Sequence, residues 1–313
     1  MSEVITPDEI EYALGIELSP TIRSDVVRAN LRYSEIDKET FKKYLEDVDA
    51  TMRMGIPPAG QHRKSDWEEG WEDNLSRIQS SHDLGDLTPL YHGKHSLMRW
   101  MRRIIDVSET PNFDYKLHRI IVDFAIESWL SSVDTIMEFG CGPAHNLLCA
   151  RRFNPNAKLV GLDWAQSSQD IIKEIVKLGI DTNITGRSFD FFNPDYSLDV
   201  PPNSGVLTVA SLEQVGDCFE PFLWWLLKKR PSVCVHLEPI DELMNPDNIL
   251  DNLSLQYCRK RNYLHGFLTR LRQLQRMGLA KIRVACRTWE GSYFLEGHSL
   301  VVWYTTCGEN NEG

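Results

Sequence analysis

Four acids in this chain follow apolar runs, the place from which a carboxylate at a sheet edge can bind hydroxyls or an ammonium group, or accept a proton. Glu138 stands two residues before Gly140 in Ile136-Met137-Glu138-Phe139-Gly140-Cys141-Gly142-Pro143, and Asp163 ends Val160-Gly161-Leu162. Glu213 follows Val206-Leu-Thr-Val-Ala-Ser211-Leu, and Glu238 ends Ser232-Val-Cys-Val-His236-Leu. Gly140 and Gly142 lack a Cβ, so the backbone there can turn tightly and approach a ligand, and Pro143 suits the first position of a following helix. Such a helix start offers free N–H groups to an anion, as a nucleotide-binding turn requires. His236 shares a face with Glu238 by the period of two along a strand and is a candidate base. A hydrogen-bonded core histidine accounts for it equally well.

These residues need a framework that ends several strands at one edge. A helix over Leu117 to Leu130 is followed by strands alternating with helices as far as Glu238, the pattern of a doubly wound, mostly parallel sheet. Asn245-Pro246-Asp247 opens an insertion of about residues 240–278, with one long helix carrying Tyr257, Tyr263 and His265 and ending near Gly278. Ala280 to Arg287 and Ser299 to Thr305 alternate as two strands, joined through Trp289-Glu290-Gly291-Ser292-Tyr293, and close the sheet with an antiparallel pair. Residues 1–110 carry no strand pattern and predict a helical extension or lid before a catalytic domain at 111–307, with 308–313 as a disordered tail. Thr6-Pro7-Asp8-Glu9 is a capping box flanked by an Ile5 and Ile10 staple, Ser19-Pro20 opens a second helix, and a third runs from Lys38 to Met54. Leu97 to Ile105 is expected as a further helix. Trp67 and Trp71 share one helical face, which favours core packing over a ligand role.

The ordered set of motifs resembles the class I S-adenosylmethionine-dependent methyltransferases over residues 133–306. Glu138, Gly140, Cys141, Gly142 and Asn146 match the first motif, an acid followed by Gly-x-Gly, with Ala144 and His145 where a dinucleotide fold would favour a third glycine. Asp163, 23 positions after Gly140, matches the ribose-binding acid, and Trp164 is a candidate to stack on adenine. Alone, Asp163 is as readily a turn acid and Trp164 a packing residue. Asp190 and Phe191 match the third motif, where an acid meets the adenine amino group beside an aromatic wall, and Ser211 lies at the fourth strand's edge. The resemblance implies a seven-stranded α/β sheet and S-adenosylmethionine as cofactor. It also leaves open a same-fold enzyme that uses the aminopropyl arm, and a non-catalytic binding module.

The acceptor is less defined. Glu213 and Glu238 are expected beside the methyl donor, with Tyr91, His92, Tyr257, Arg261, Trp289 and Tyr293 around a small amine or hydroxyl substrate. Nine Lys or Arg residues and no acid between 259 and 287 form either a solvated face or, at Arg261, a contact to a substrate acid. A net charge of −11 argues against general nucleic-acid binding. No apolar run reaches the roughly 20 residues of a membrane span, and the N-terminus lacks signal-peptide regions, so a cytoplasmic protein is expected, with a homodimer left open. Seven cysteines without a C-x-x-C pair, and no metal-ligand spacing, predict reduced thiols and no metal.

Overall fold

Thr6 starts the first helix through its own side chain, accepting the Glu9 N–H at 3.2 Å while Glu9 accepts the Thr6 N–H at 2.7 Å. The structure, a computed structural model, describes residues 2–306; Cys307 and the tail expected to be disordered at 308–313 lie outside the described residues. The N-terminal part comprises β1 (Ser2–Val4), α1 (Pro7–Leu14), α2 (Pro20–Ala29), β2 (Arg32–Glu35), α3 (Lys38–Met54), α4 (Lys64–Ser81), β3 (Leu97–Trp100) and β4 (Arg103–Asp106). Ser19 caps α2 and Asp37 caps α3, so these helices begin where their N-cap chemistry places them.

This part is not purely helical, which corrects the sequence expectation for residues 1–110. Its four strands form a sheet of order β1-β2-β4-β3, every neighbour antiparallel. Leu97 to Ile105, expected as a helix, is the β3–β4 hairpin. Its apolar residues fit a helical spacing, but Met101 and Arg102 take φ of 49° and 61° and turn the chain in two residues, pairing Trp100 with Arg103. Neither turn residue is the glycine or asparagine that normally announces such a turn.

The remainder comprises α5 (Phe113–Leu130), β5 (Thr135–Phe139), α6 (His145–Ala150), β6 (Lys158–Asp163), α7 (Gln166–Lys177), β7 (Ile184–Ser188), β8 (Ser204–Val209), α8 (Glu220–Lys229), β9 (Val233–Glu238), α9 (Ile249–Arg261), α10 (Phe267–Arg276), β10 (Ala280–Arg287) and β11 (Ser299–Thr305). The seven strands run β10-β11-β9-β8-β5-β6-β7, with β5 to β9 parallel and β11 antiparallel to both neighbours. Both faces are covered, so these strands are apolar on both sides. Ile136, Leu159, Leu207, Val235 and Val302 pack on one face with α5; Met137, Phe139, Val206 and Val301 pack on the other with Phe222, Trp225 and Leu271. The expected single long helix is broken into α9 and α10, because Asn262 and Gly266 take left-handed conformations (φ 52° and 79°) and carry Tyr263 and Leu264 around a turn.

The two sheets are joined through the segment between β10 and β11. Gly291 donates its N–H to the Arg99 carbonyl at 2.7 Å, and Trp100 forms a lone bridge to Glu290. Below that contact the fully buried Arg99 donates to the Tyr44 hydroxyl and the Leu250 carbonyl at 2.8 and 2.7 Å. Arg287 holds Asp251 with two bonds of 2.8 and 2.9 Å and Glu296 with one of 3.1 Å. Breaking such buried pairs strands a charge, so the hairpin, α9 and this segment should hold one arrangement. Among the described residues no helix is long and apolar enough to cross a membrane.

Candidate active site

A cavity of about 420 Å³ opens at the carboxyl ends of β5, β6, β7 and β8, where ligands sit in open parallel sheets. Its floor is the turn after β5. Gly140, at φ +69°, has no room for a side chain, since a Cβ there would stand 2.3 Å from the Ser211 Cβ. A Cβ on Gly142 would lie 2.8 Å from the Trp71 ring. Helix α6 begins only at His145, so Pro143 belongs to the turn and not to the first helical position expected for it.

Glu138 and Asp163 are both nearly inaccessible, at 1% and 5% exposure, yet both line this cavity. Glu138 accepts the Asn146 amide at 2.8 Å through Oε1, and Asn146 in turn accepts from Arg119 at 2.7 Å. Its Oε2 has no partner among the described residues, and burial raises the carboxyl to about 8. Asp163 accepts the N–H groups of Ala165 and Gly142 at 2.9 Å each; burial outweighs those bonds and raises it to about 6. Cys141, Trp164, Phe191 and Ser211 also line the cavity, and Trp164 stacks with Phe192 at 6.1 Å.

Asp190 does not line it. Its carboxylate accepts the Phe192 N–H at 2.9 Å, a local turn that aims Phe191 and Phe192 inward instead.

Of the two acids expected near the acceptor, only Glu213 lines the cavity; burial and the neighbouring Glu238 raise it to about 7. Glu238 lies underneath, fully buried, accepting the N–H groups of Ser211, Leu212 and Glu213 at 3.1, 3.0 and 3.0 Å. It holds the turn that carries Ser211 and Glu213. His236 also lies in the core: Trp303 Nε1 donates to its Nε2 at 2.9 Å, its Nδ1 stands 2.9 Å from the Thr208 hydroxyl, and burial lowers it to about 3. A base needs access to its proton, which neither side chain has.

Tyr91, His92, Tyr257, Arg261 and Tyr293 line the opposite side. Trp289 does not; it is clasped between the guanidinium groups of Arg287 and Arg102, 3.9 and 4.9 Å from its ring. Arg261 is partly occupied, donating to the Pro57 carbonyl and, at 3.3 Å, to the Tyr263 hydroxyl.

The sequence favoured core packing for Trp67 and Trp71; Trp71 does pack against the core, and both also line the cavity as a stacked pair 5.6 Å apart. Between them in sequence, Glu68 accepts the N–H groups of Gln166 and Ser167 at 2.7 Å each, capping α7 and fixing α4 over the cavity. Among the lining residues that escaped the sequence reading are His118, His145, Glu290 and His298. Glu290 Oε1 is 3.0 Å from His118 Nδ1 and 3.1 Å from His298 Nδ1. Burial alone would raise Glu290, but the two imidazoles outweigh it and lower the carboxyl to about 2. Burial lowers His118, while in His298 the bond to Glu290 overcomes burial and raises the imidazole. Only the position of His145 in the first motif offered a signal; Glu290 stands 172 positions from His118, and His298 lies in the same irregular segment as Glu290.

Strand order β10-β11-β9-β8-β5-β6-β7 in the main sheet, with β11 reversed, decides the architecture. The chain has the class I methyltransferase fold. No protein-family model and no curated protein matches the chain. Solved structures similar to it include an O-methyltransferase from neocarzinostatin biosynthesis in complex with S-adenosylmethionine and 2-hydroxy-5-methyl naphthoic acid, at 16% identity and a TM-score of 0.44 over 64% of this chain and 57% of that one. Human N-acetylserotonin methyltransferase with S-adenosylmethionine matches at 12% identity and 0.45, over 63% and 55%. Magnesium protoporphyrin IX methyltransferase from Synechocystis matches at 13% and 0.45, over 62% and 86%. The chain thus spans less than two thirds of the first two.

Proposed function

We propose that this protein is an S-adenosylmethionine-dependent methyltransferase acting on a small-molecule acceptor. The observation that carries the reading is the Glu138 Oε2, buried beside a glycine cradle without a partner among the described residues, in a side chain that lines the same cavity as Asp163 and Glu213. A buried carboxylate oxygen without a partner is costly unless a ligand completes it, and the cofactor's ammonium group is such a ligand. Asp163 has the charge and position to accept ribose hydroxyls, and Phe191, Phe192 and Trp164 offer apolar faces to adenine. The cavity volume falls in the range of about 300–1,000 Å³ usual for small-molecule sites.

Bound there, S-adenosylmethionine supplies a sulfonium methyl group already activated for in-line displacement. What remains for the chain is to align the acceptor, exclude water and take up a proton. Glu213, raised to about 7, takes the acceptor proton near neutral pH. Trp67, Trp71, Tyr91, Tyr257 and Tyr293 give the acceptor aromatic walls, and Arg261 and His92 supply polar contacts at the rim.

The test is calorimetric titration with S-adenosylmethionine, followed by mass spectrometry of the cofactor product in the presence of cell extract. S-adenosylhomocysteine as product supports methyl transfer. Methylthioadenosine would move the assignment to aminopropyl chemistry, and absence of any cofactor binding would remove the reading.

A further inference from the structure

His118 comes from α5, and Glu290 and His298 from the segment between β10 and β11, yet one donor atom from each lies within 4.8 Å of the others. We propose that these three side chains bind a divalent first-row transition-metal ion whose free coordination positions face the cavity. Two imidazoles and one carboxylate suit zinc, iron or cobalt, and three protein ligands with open positions are the arrangement of catalytic rather than structural sites.

Two of the three spacings already suit a shared ion. Ligand atoms about 2.1 Å from one metal stand roughly 3.0–3.4 Å from each other. Glu290 Oε1 already lies 3.0 and 3.1 Å from the two Nδ1 atoms. All three residues line the cavity, so an incoming ligand can complete the coordination.

The backbone also holds the set in place. Thr288 donates from its N–H at 3.1 Å and its hydroxyl at 2.8 Å to the His298 carbonyl, closing the segment so that Glu290 and His298 meet. The Trp100 bridge fixes Glu290 from the other side, and His118 sits on the long helix α5. A metal ligand set needs this pre-positioning, because donors left to find each other lose affinity. In the cavity the ion would polarise the acceptor's oxygen or nitrogen and bring it to a fixed place. That role rests on the methyl-transfer reading; the binding of the ion does not.

The experiment uses the full chain stripped with a chelator and titrated with Co²⁺, followed by visible absorption, with Zn²⁺ content measured by mass spectrometry after dialysis. One equivalent of Co²⁺ with d–d bands is expected. Glu290→Gln, His298→Ala and His118→Gln should each weaken binding by about 100-fold or more, since removal of mere supporting residues typically costs 10- to 100-fold. Circular dichroism identifies any variant that fails to fold, and the remaining ones decide. Absence of bands in the native chain, or bands that persist in the folded variants because cysteines or surface histidines supply them, overturns the proposal and leaves a hydrogen-bonded His–Glu–His group. Titration of the stripped chain with S-adenosylmethionine runs in parallel: loss of that binding with Co²⁺ binding intact defeats the cofactor reading alone.

Discussion

The sheet side of the cavity takes its side chains from short turns directly after β5, β6, β7 and β8, whereas the facing side draws on α4, the 89–95 turn, α5, α9 with the turn after it, and the segment before β11. On the first side a residue's place follows from the strand it ends. On the second it follows from how distant elements pack. The sheet side should therefore fail through backbone geometry, and the facing side through loss of single chemical groups.

The largest expected effect lies on the sheet side. Gly140→Val forces a β-branched residue into a left-handed conformation and drives its Cβ to within 2.3 Å of Ser211. Left-handed strain and overpacking each cost about 1–3 kcal/mol, so cofactor affinity should fall by more than about 100-fold and the melting temperature should drop. A titration showing near-native affinity would mean that the turn is not the binding cradle.

The next effect separates Glu213 from Glu238, the strand-end acid that holds its turn from beneath. Glu238→Ala removes the acceptor of three buried N–H groups, each worth about 1–3 kcal/mol when left unpaired, so it should destabilise the fold by about 3 kcal/mol or more. Glu213→Gln should not destabilise the fold at pH 7 but should lower turnover by about 100-fold or more. Chemical denaturation and a product assay read the two quantities separately. Equal stability losses in both would place Glu213 with Glu238 as a support.

A pH series sharpens the assignment of Glu213, whose carboxyl rises from 4.5 to about 7 on folding. Between those values the folded chain keeps a proton that the unfolded chain has released, so this group's contribution to stability falls as pH rises through the window. In Glu213→Gln that contribution is gone, and the variant should gain stability relative to the parent as pH goes from 5 to 8. Turnover should run the opposite way, rising as Glu213 ionises near pH 7. An identical pH dependence of melting in both proteins would show that Glu213 titrates as an ordinary exposed acid.

The same contrast explains what could be seen in advance. Glu138, Gly140, Gly142, Asp163 and Ser211 were legible because a strand, a turn and a helix start are local events, and five consecutive parallel strands fix their order. His118, Glu290 and His298 were not, because no spacing along the chain records that α5 and the β10–β11 segment meet. Glu238 and His236 were misplaced for a related reason: a strand end identifies the edge of a sheet but not which carboxylate turns up into the cavity and which turns under to hold N–H groups. The β3–β4 hairpin hid behind helical spacing because its turn uses Met101 and Arg102 in conformations that favour other residues.

The smallest expected effect tests how rigid the sheet side is. Asp190 stands where the third motif places the adenine contact, yet its carboxylate is spent on the Phe192 N–H at 2.9 Å and lies outside the cavity lining. Asn keeps a side-chain oxygen for that bond, so Asp190→Asn should change S-adenosylmethionine affinity by no more than about twofold, roughly 0.4 kcal/mol. Phe191→Ala, which removes an aromatic face from the lining, should cost about 1–3 kcal/mol in the same titration. Should Asp190→Asn lose tenfold or more while Phe191→Ala loses little, the adenine end must rearrange on binding, with Asp190 swinging in, and the sheet side would be less rigid than its backbone suggests.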